Sequence, residues 1–282
     1  MKKLILFDLD GTLVNTGSTG RKALTKAITK LYGKTPVFDH SLISGRTDTE
    51  NFELVYQLVK DKKPTKNEIK KISDTYLDLL QVELKKSCKN KTYELVPGIK
   101  KFLAKLATEK DIVLGLGTGN IEQGAILKLE PSGLLNYFTV GGYGEDGRTR
   151  EKMLQTAVKR AEKKYKTTFA PEQVYIIGDT HRDILAAKNC GYHSAAITSG
   201  FGDPIKLQRA AAELQVKNFN DIKTFYVWLG LSTDPKGVKR GIYISPASAI
   251  EHVFFSRTGI DEDRLKMLKI KKYEDLPSGT IM

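Results

Sequence analysis

Lys3-Leu4-Ile5-Leu6-Phe7-Asp8-Leu9-Asp10-Gly11-Thr12 is the stretch on which the reading of this chain turns. Its apolar run suits a strand covered on both faces, and it stops at once in a polar turn carrying two carboxylates. The same unit returns at residues 112–116, before Gly117-Thr118-Gly119-Asn120, and at Val174–Gly178, before Asp179-Thr180-His181-Arg182-Asp183. A shorter version occupies 194–197. Helical periodicities lie between these runs, at 99–107 after Pro97-Gly98, at 121–129, at 151–165 and at 182–190. Strands alternating with helices predict an α/β fold, a doubly wound parallel sheet with helices on both faces.

Residues 17–92 break the rhythm, with helical periodicity at 23–32, 50–59 and 69–84 and no convincing strand. An insertion placed just after the first strand's turn would sit over the carboxyl ends of the strands, where open α/β sheets bind ligands. The expected organisation is therefore a core of 1–16 and 93–231, a helical cap of 17–92 and a C-terminal extension of 232–282. In that extension 242–244 reads as a short strand, and Ser245-Pro246 opens a helix to about 256 with Ala249, Ile250, Val253 and Phe254 on one face. That face could pack on the core or on a second copy of the chain, so a homodimer stays open.

With 282 residues, 40% hydrophobic and 28% charged, the chain can bury a sizeable core. No apolar run approaches the ~20 residues a membrane span needs, and Met1-Lys2-Lys3 leads into no signal peptide, so a cytoplasmic protein with no membrane partner is expected. Cys88 and Cys190 form no CxxC pair and no Cys/His cluster, which argues against a disulfide framework or zinc and for plain buried or half-buried thiols. The net charge of +13 lies in helix-like lysine stretches rather than in one basic and aromatic stripe, so solvated faces are expected in place of a nucleic-acid partner.

In a parallel sheet the three polar clusters share one edge, and four carboxylates brought together there repel one another. A hard divalent cation is the simplest remedy, and an all-oxygen donor set points to Mg²⁺. A carboxylate screened in this way can attack phosphorus as a nucleophile, while a second one two residues on can protonate a leaving alcohol and then activate water. Thr118 can offer its hydroxyl to the phosphoryl oxygens.

From Met1 to Leu231 the chain resembles the haloacid dehalogenase-like superfamily. Asp8 to Thr12 matches the first motif, Thr118-Gly119-Asn120 the second, and Gly178-Asp179 to Asp183 the fourth. The resemblance implies Asp8 as nucleophile, Asp10 as acid/base, Thr118, Gly119 and Asn120 as phosphate contacts, and a magnesium site of Asp8, the Asp10 carbonyl and Asp179 with Asp183 in support. For the third motif, a lysine or arginine on the phosphoryl group, Arg150 is preferred over Arg148 and Lys152 in a stretch similar to phosphoglycolate phosphatase-like members. The implied activity is hydrolysis of a small phosphorylated metabolite through an aspartyl-phosphate. Dehalogenases do not keep the second aspartate, which is present as Asp10. A phosphosugar mutase would use the same core residues, and a basic binding protein on a retained scaffold would have no need of Asp8 and Asp10.

Separately, each cluster has an ordinary structural explanation. Asp-x-Asp-Gly is a common turn, Thr118 and Asn120 could cap a helix, and Asp179 and Asp183 could sit on a helix dipole. Calcium-loop, dinucleotide and P-loop patterns all fail on spacing. Arg46 reads equally well as a substrate contact or as a surface arginine, and His181 as an ordinary loop histidine.

Overall fold

The computed structural model of the protein describes residues 2–231. The chain begins with β1 (Lys3–Phe7) and β2 (Val14–Asn15), then runs through α1 (Thr19–Tyr32), α2 (His40–Ile43), α3 (Asp48–Lys60) and α4 (Lys66–Lys89). It continues through β3 (Glu94–Leu95), α5 (Ile99–Leu106), β4 (Ile112–Gly117), α6 (Glu122–Leu129), β5 (Val140–Gly142) and α7 (Arg150–Tyr165). β6 (Val174–Gly178), α8 (His181–Asn189), β7 (His193–Ile197), α9 (Pro204–Ala210), β8 (Leu214–Val216) and α10 (Ile222–Trp228) follow. Two compact units divide after Asp221, and α10 belongs to the second. The expected strand at 242–244 and helix at 245–256 lie outside the described residues.

β1 lies in the middle of a six-stranded parallel sheet ordered β5-β4-β1-β6-β7-β8. The chain builds one side through β4 and β5 and then crosses to β6, so the connections reverse direction at β1. That reversal opens a crevice beyond the strands' carboxyl ends. Phe7 pairs with Leu116 on one side and Ile177 on the other, so the residues after these positions emerge level with one another. Leu4, Leu6, Ile176, Met153 and Leu154 are almost completely buried in the sheet's main core cluster, which holds this register. A one-residue slip of β1 would turn Leu4 and Leu6 to the opposite face, away from Met153 and Leu154 of α7.

Helices α1, α3 and α4 share a second core of Leu24, Ile28, Phe52, Tyr56, Tyr76 and Leu80, which Ile121 also joins. Full burial of such side chains is worth roughly 1.5–3 kcal/mol each. α3 and α4 both open with capping boxes, Thr47 with Glu50 and Thr65 with Glu68, each cap contributing about 1 kcal/mol. The antiparallel pair Val14↔Leu95 and Asn15↔Glu94 closes the neck through which the chain leaves for these helices and returns.

Cys190 is half-buried as expected, but Cys88 is exposed on the last turn of α4, because the apolar face of that helix ends at Leu84. No helix among the described residues is long and apolar enough to cross a membrane.

Candidate active site

Asp8 directly follows β1 and donates its N–H to the carbonyl of Ile177 at 2.9 Å, which keeps it in the line of the sheet. The chain then turns through Gly11, whose φ of 81° falls in the left-handed region. A Cβ at Gly11 would stand 2.3 Å from Oδ2 of Asp179, so both the turn and its neighbour require glycine. Asp10, with about a third of its side chain exposed, faces the crevice.

Thr118 follows β4 and is fully buried, its N–H donating to Gly142 at 3.0 Å. Its hydroxyl oxygen accepts from Asn120 Nδ2 at 2.8 Å, and the same Nδ2 reaches Asp10 Oδ2 at 2.9 Å. Both N–H groups of the Asn120 amide therefore point at protein partners. Gly119 lies against the helical segment, where an added Cβ would meet the Arg46 carbonyl at 2.6 Å. Its own carbonyl accepts the Asp48 N–H at 2.7 Å.

After β6 come Asp179 and Asp183. Asp183 Oδ2 closes the cap of α8 by accepting from the Thr180 hydroxyl at 2.7 Å and the Thr180 N–H at 3.1 Å. The capping explanation therefore holds for one of its oxygens. The other, Oδ1, faces Arg150 Nη2 at 2.6 Å. Asp179 Oδ2 accepts the Phe201 N–H at 2.6 Å, whereas its buried Oδ1 has no hydrogen-bond partner among the described residues.

Asp8, Asp179 and Asp183 each offer an oxygen to a set lying within 4.8 Å of one another, all three residues buried. Burial raises the Asp8 carboxyl to about 7, with repulsion from Asp183 adding to the effect and Arg150 opposing it. Asp179 is raised too, chiefly by burial and then by Asp8. Such a cluster has more negative charge than the protein's own groups compensate.

Of the three basic candidates, only Arg150 turns inward. It is 9% exposed, while Arg148 and Lys152 point into solvent. Its Nη2 stands 3.1 Å from Asp8 Oδ1, and its Nη1 donates to the Gly45 carbonyl of the helical segment at 2.9 Å. A cavity of about 340 Å³ lies over this group, bordered by Arg46, Asp48 and Tyr76 from the helical segment and by Asp8, Asp10 and Asp179 from the sheet. Arg46 thus borders the cavity, although its Nε is occupied by the Leu42 carbonyl at 2.9 Å.

Sequence reasoning assigns no role to two members of the site, although Asp48 closes a stretch, Ser44 to Asp48, that resembles the phosphoglycolate phosphatase-like subgroup. Lys128, 4% exposed on α6, donates to Asp10 Oδ2 and to Asn120 Oδ1, each at 2.6 Å. Its one local signal is a charge set among Ile126, Leu127 and Leu129 on a core-facing helix. Asp48 accepts the Ile121 N–H at 3.0 Å at the start of α6, a contact between segments far apart in sequence.

A parallel sheet of this order, with an acidic crevice at its carboxyl edge, places the chain among the doubly wound α/β proteins. More narrowly, residues 5–197 match the haloacid dehalogenase-like hydrolases, and the chain belongs to that family. It is similar to a phosphoglycolate phosphatase of Synechococcus elongatus, 28% identical over 129 residues that span 46% of this chain and only 58% of that relative. A phosphoglycolate phosphatase of Vibrio vulnificus is 27% identical over 214 residues, 72% of this chain and 87% of the relative. Among solved structures, a β-phosphoglucomutase of Clostridium difficile shares the fold, with a TM-score of 0.62 at 19% identity over 80% of this chain and 96% of that one.

Proposed function

We propose that this protein is a Mg²⁺-dependent phosphatase of small phosphate monoesters, working through an aspartyl-phosphate on Asp8. The observation that carries the reading is the placement of Asp8 and Asp10 together at the end of the central strand, under a cavity of about 340 Å³ and beside Arg150. The names of the two curated relatives favour a phosphoglycolate-like substrate.

The acidic triad fits a hard cation, since its donors are all oxygens, all buried, and one of them, Asp179 Oδ1, lacks a partner. Asp8, Asp179 and the Asp10 carbonyl would hold it, with Asp183 in support. When bound, Mg²⁺ would screen the carboxylates and the phosphoryl oxygens from one another.

The chain's own groups carry the rest. The Asp8 carboxylate attacks phosphorus as the ester's P–O bond breaks, and Asp10 gives its proton to the departing alkoxide. Asp10 then takes a proton from the water that cleaves the acyl phosphate, which frees inorganic phosphate and restores Asp8. Arg150, already forked between Asp8 and the helical segment, would grip the phosphoryl oxygens as charge builds on them. Thr118 would donate its hydroxyl hydrogen, since the bonds from Asn120 use only its oxygen as acceptor. Asn120 serves this reading as the group that orients Asp10 and Thr118, and Gly119 as the residue that lets the helical segment approach.

The test is a screen of phosphorylated metabolites with Mg²⁺ present, following both inorganic phosphate and isomerised sugar phosphate. Phosphate release that disappears in Asp8→Asn supports the reading. Isomerisation without release would move the protein to the mutases, and neither activity on any ester would refute it.

A further inference from the structure

The buried lysine of α6 belongs to none of the four motifs, yet its ammonium group ends on the acid/base carboxylate. Burying an unpaired ammonium costs several kcal/mol, so its partners must explain its presence. Two of them are fixed, Asp10 Oδ2 at 2.6 Å and Asn120 Oδ1 at 2.6 Å, and the lysine side chain is only 5% exposed. Asn120 closes the triangle by donating from Nδ2 to the same Asp10 Oδ2 at 2.9 Å. The lysine's backbone is held as well, because its carbonyl accepts the Tyr93 hydroxyl at 2.7 Å, at the return from the helical segment.

Both donors fall on one oxygen. Oδ2 of Asp10 receives an ammonium N–H and an amide N–H, and a proton placed there would face two donors with no acceptor. Among the described residues no side-chain hydrogen bond reaches Oδ1, and the Asp10 side chain is 32% exposed, on the cavity.

We propose that Lys128 is a positioning residue which, with Asn120, pins Oδ2 of Asp10 and leaves Oδ1 as the oxygen that exchanges a proton with the leaving group and with water. The inference rests on the acid/base role given to Asp10 above. Lys128 acts through Asp10 and touches no reacting atom.

A double-mutant cycle tests it. Lys128→Met keeps the length and apolar stem of the side chain and removes the donor. It should lower kcat by roughly 10–100-fold, less than the ~10²–10⁴-fold that acid/base catalysis supplies in full because Asp10 itself remains, with KM changed less than about threefold. The loss should be steep for alkyl phosphates and shallow for aryl phosphates. In an Asp10→Asn background the same change should cost less than about threefold, because the group it positions is already gone. Mg²⁺ affinity, read by calorimetry with the metal alone, should match wild type.

Losses that multiply in the double mutant, or that are equal across the leaving-group series, would overturn the inference. Should Lys128→Met fail to fold, Lys128→Gln retains one donor toward Asp10 and enters the same cycle, with a smaller loss expected. A fully active Asp10→Asn protein would instead defeat the acid/base reading on which the inference stands, so the two failures separate.

Discussion

Arg150 holds its Nη2 3.1 Å from Oδ1 of Asp8, with less than a tenth of either side chain exposed. The guanidinium is thus the counter-charge of the carboxylate at the centre of the site, and through Gly45 it also ties that carboxylate to the helical segment. Arg150→Ala should abolish measurable turnover and destabilise the metal-free fold by about 3–5 kcal/mol, the usual cost of leaving a buried charge alone. Arg150→Lys keeps the charge without the fork and should lose less on both counts. Steady-state kinetics with urea unfolding in chelator measures both, and an alanine variant as active as wild type would remove Arg150 from the site.

Asp8→Asn separates chemistry from stability. An amide cannot attack phosphorus, so turnover should vanish. The same change removes a carboxylate whose charge is disfavoured by burial and by Asp183, which lifts its pKa to about 7. The variant should therefore melt no lower than wild type in chelator at pH 8. Retained turnover would reassign the nucleophile, and a large drop in Tm would show that Arg150 outweighs the repulsion.

How far the sequence leads is visible in particular residues. β1, β4 and β6 are legible because buried parallel strands are continuous apolar runs, and the polar residues after them are the site. β5, with Val140-Gly141-Gly142, and β8, with Leu214-Gln215-Val216, are three residues each and carry too little pattern. β2 and β3 exist only because the chain leaves and returns through one neck. Lys128 and Asp48 have the composition of surface residues. Their position under the cavity follows from how α6 and α3 pack, which no local spacing encodes.

Metal dependence can be read without activity. If Asp8, Asp179 and Asp183 take Mg²⁺, the ion binds their ionised forms and competes with protons. Mg²⁺ should raise Tm at pH 8 by several degrees and much less at pH 5, since a ligand bound only to the folded state stabilises it by RT ln(1 + [L]/Kd), and protons competing for the carboxylates raise Kd. Asp179→Asn should abolish the shift. An equal shift at both pH values, or one that survives Asp179→Asn, would place the metal elsewhere. Ca²⁺ should also stabilise the protein but support little turnover, given its larger and looser shell.

Asp48 gives a pH signature of its own. It begins α3, accepts the Ile121 N–H at 3.0 Å, and borders the cavity together with Tyr76. Burial raises its carboxyl to about 6, against the partial relief of the Lys128 charge and the Ile121 N–H. An unfolded aspartate titrates near 3.9, so between about pH 4 and pH 6 the folded state binds the extra proton. The stability this provides is complete below pH 4 and is lost as pH rises through 6. Asp48→Asn can still accept the Ile121 N–H but carries no charge at any pH. Relative to wild type in chelator, it should therefore gain stability as pH is raised from 4 to 7. Water in the cavity screens part of the effect, which limits the gain to about 1–2 kcal/mol. Urea unfolding of both proteins at half-unit steps of pH gives the difference curve. A flat curve would show that Asp48 ionises as freely in the folded protein as in the unfolded chain, and a falling one that Lys128 more than compensates its burial.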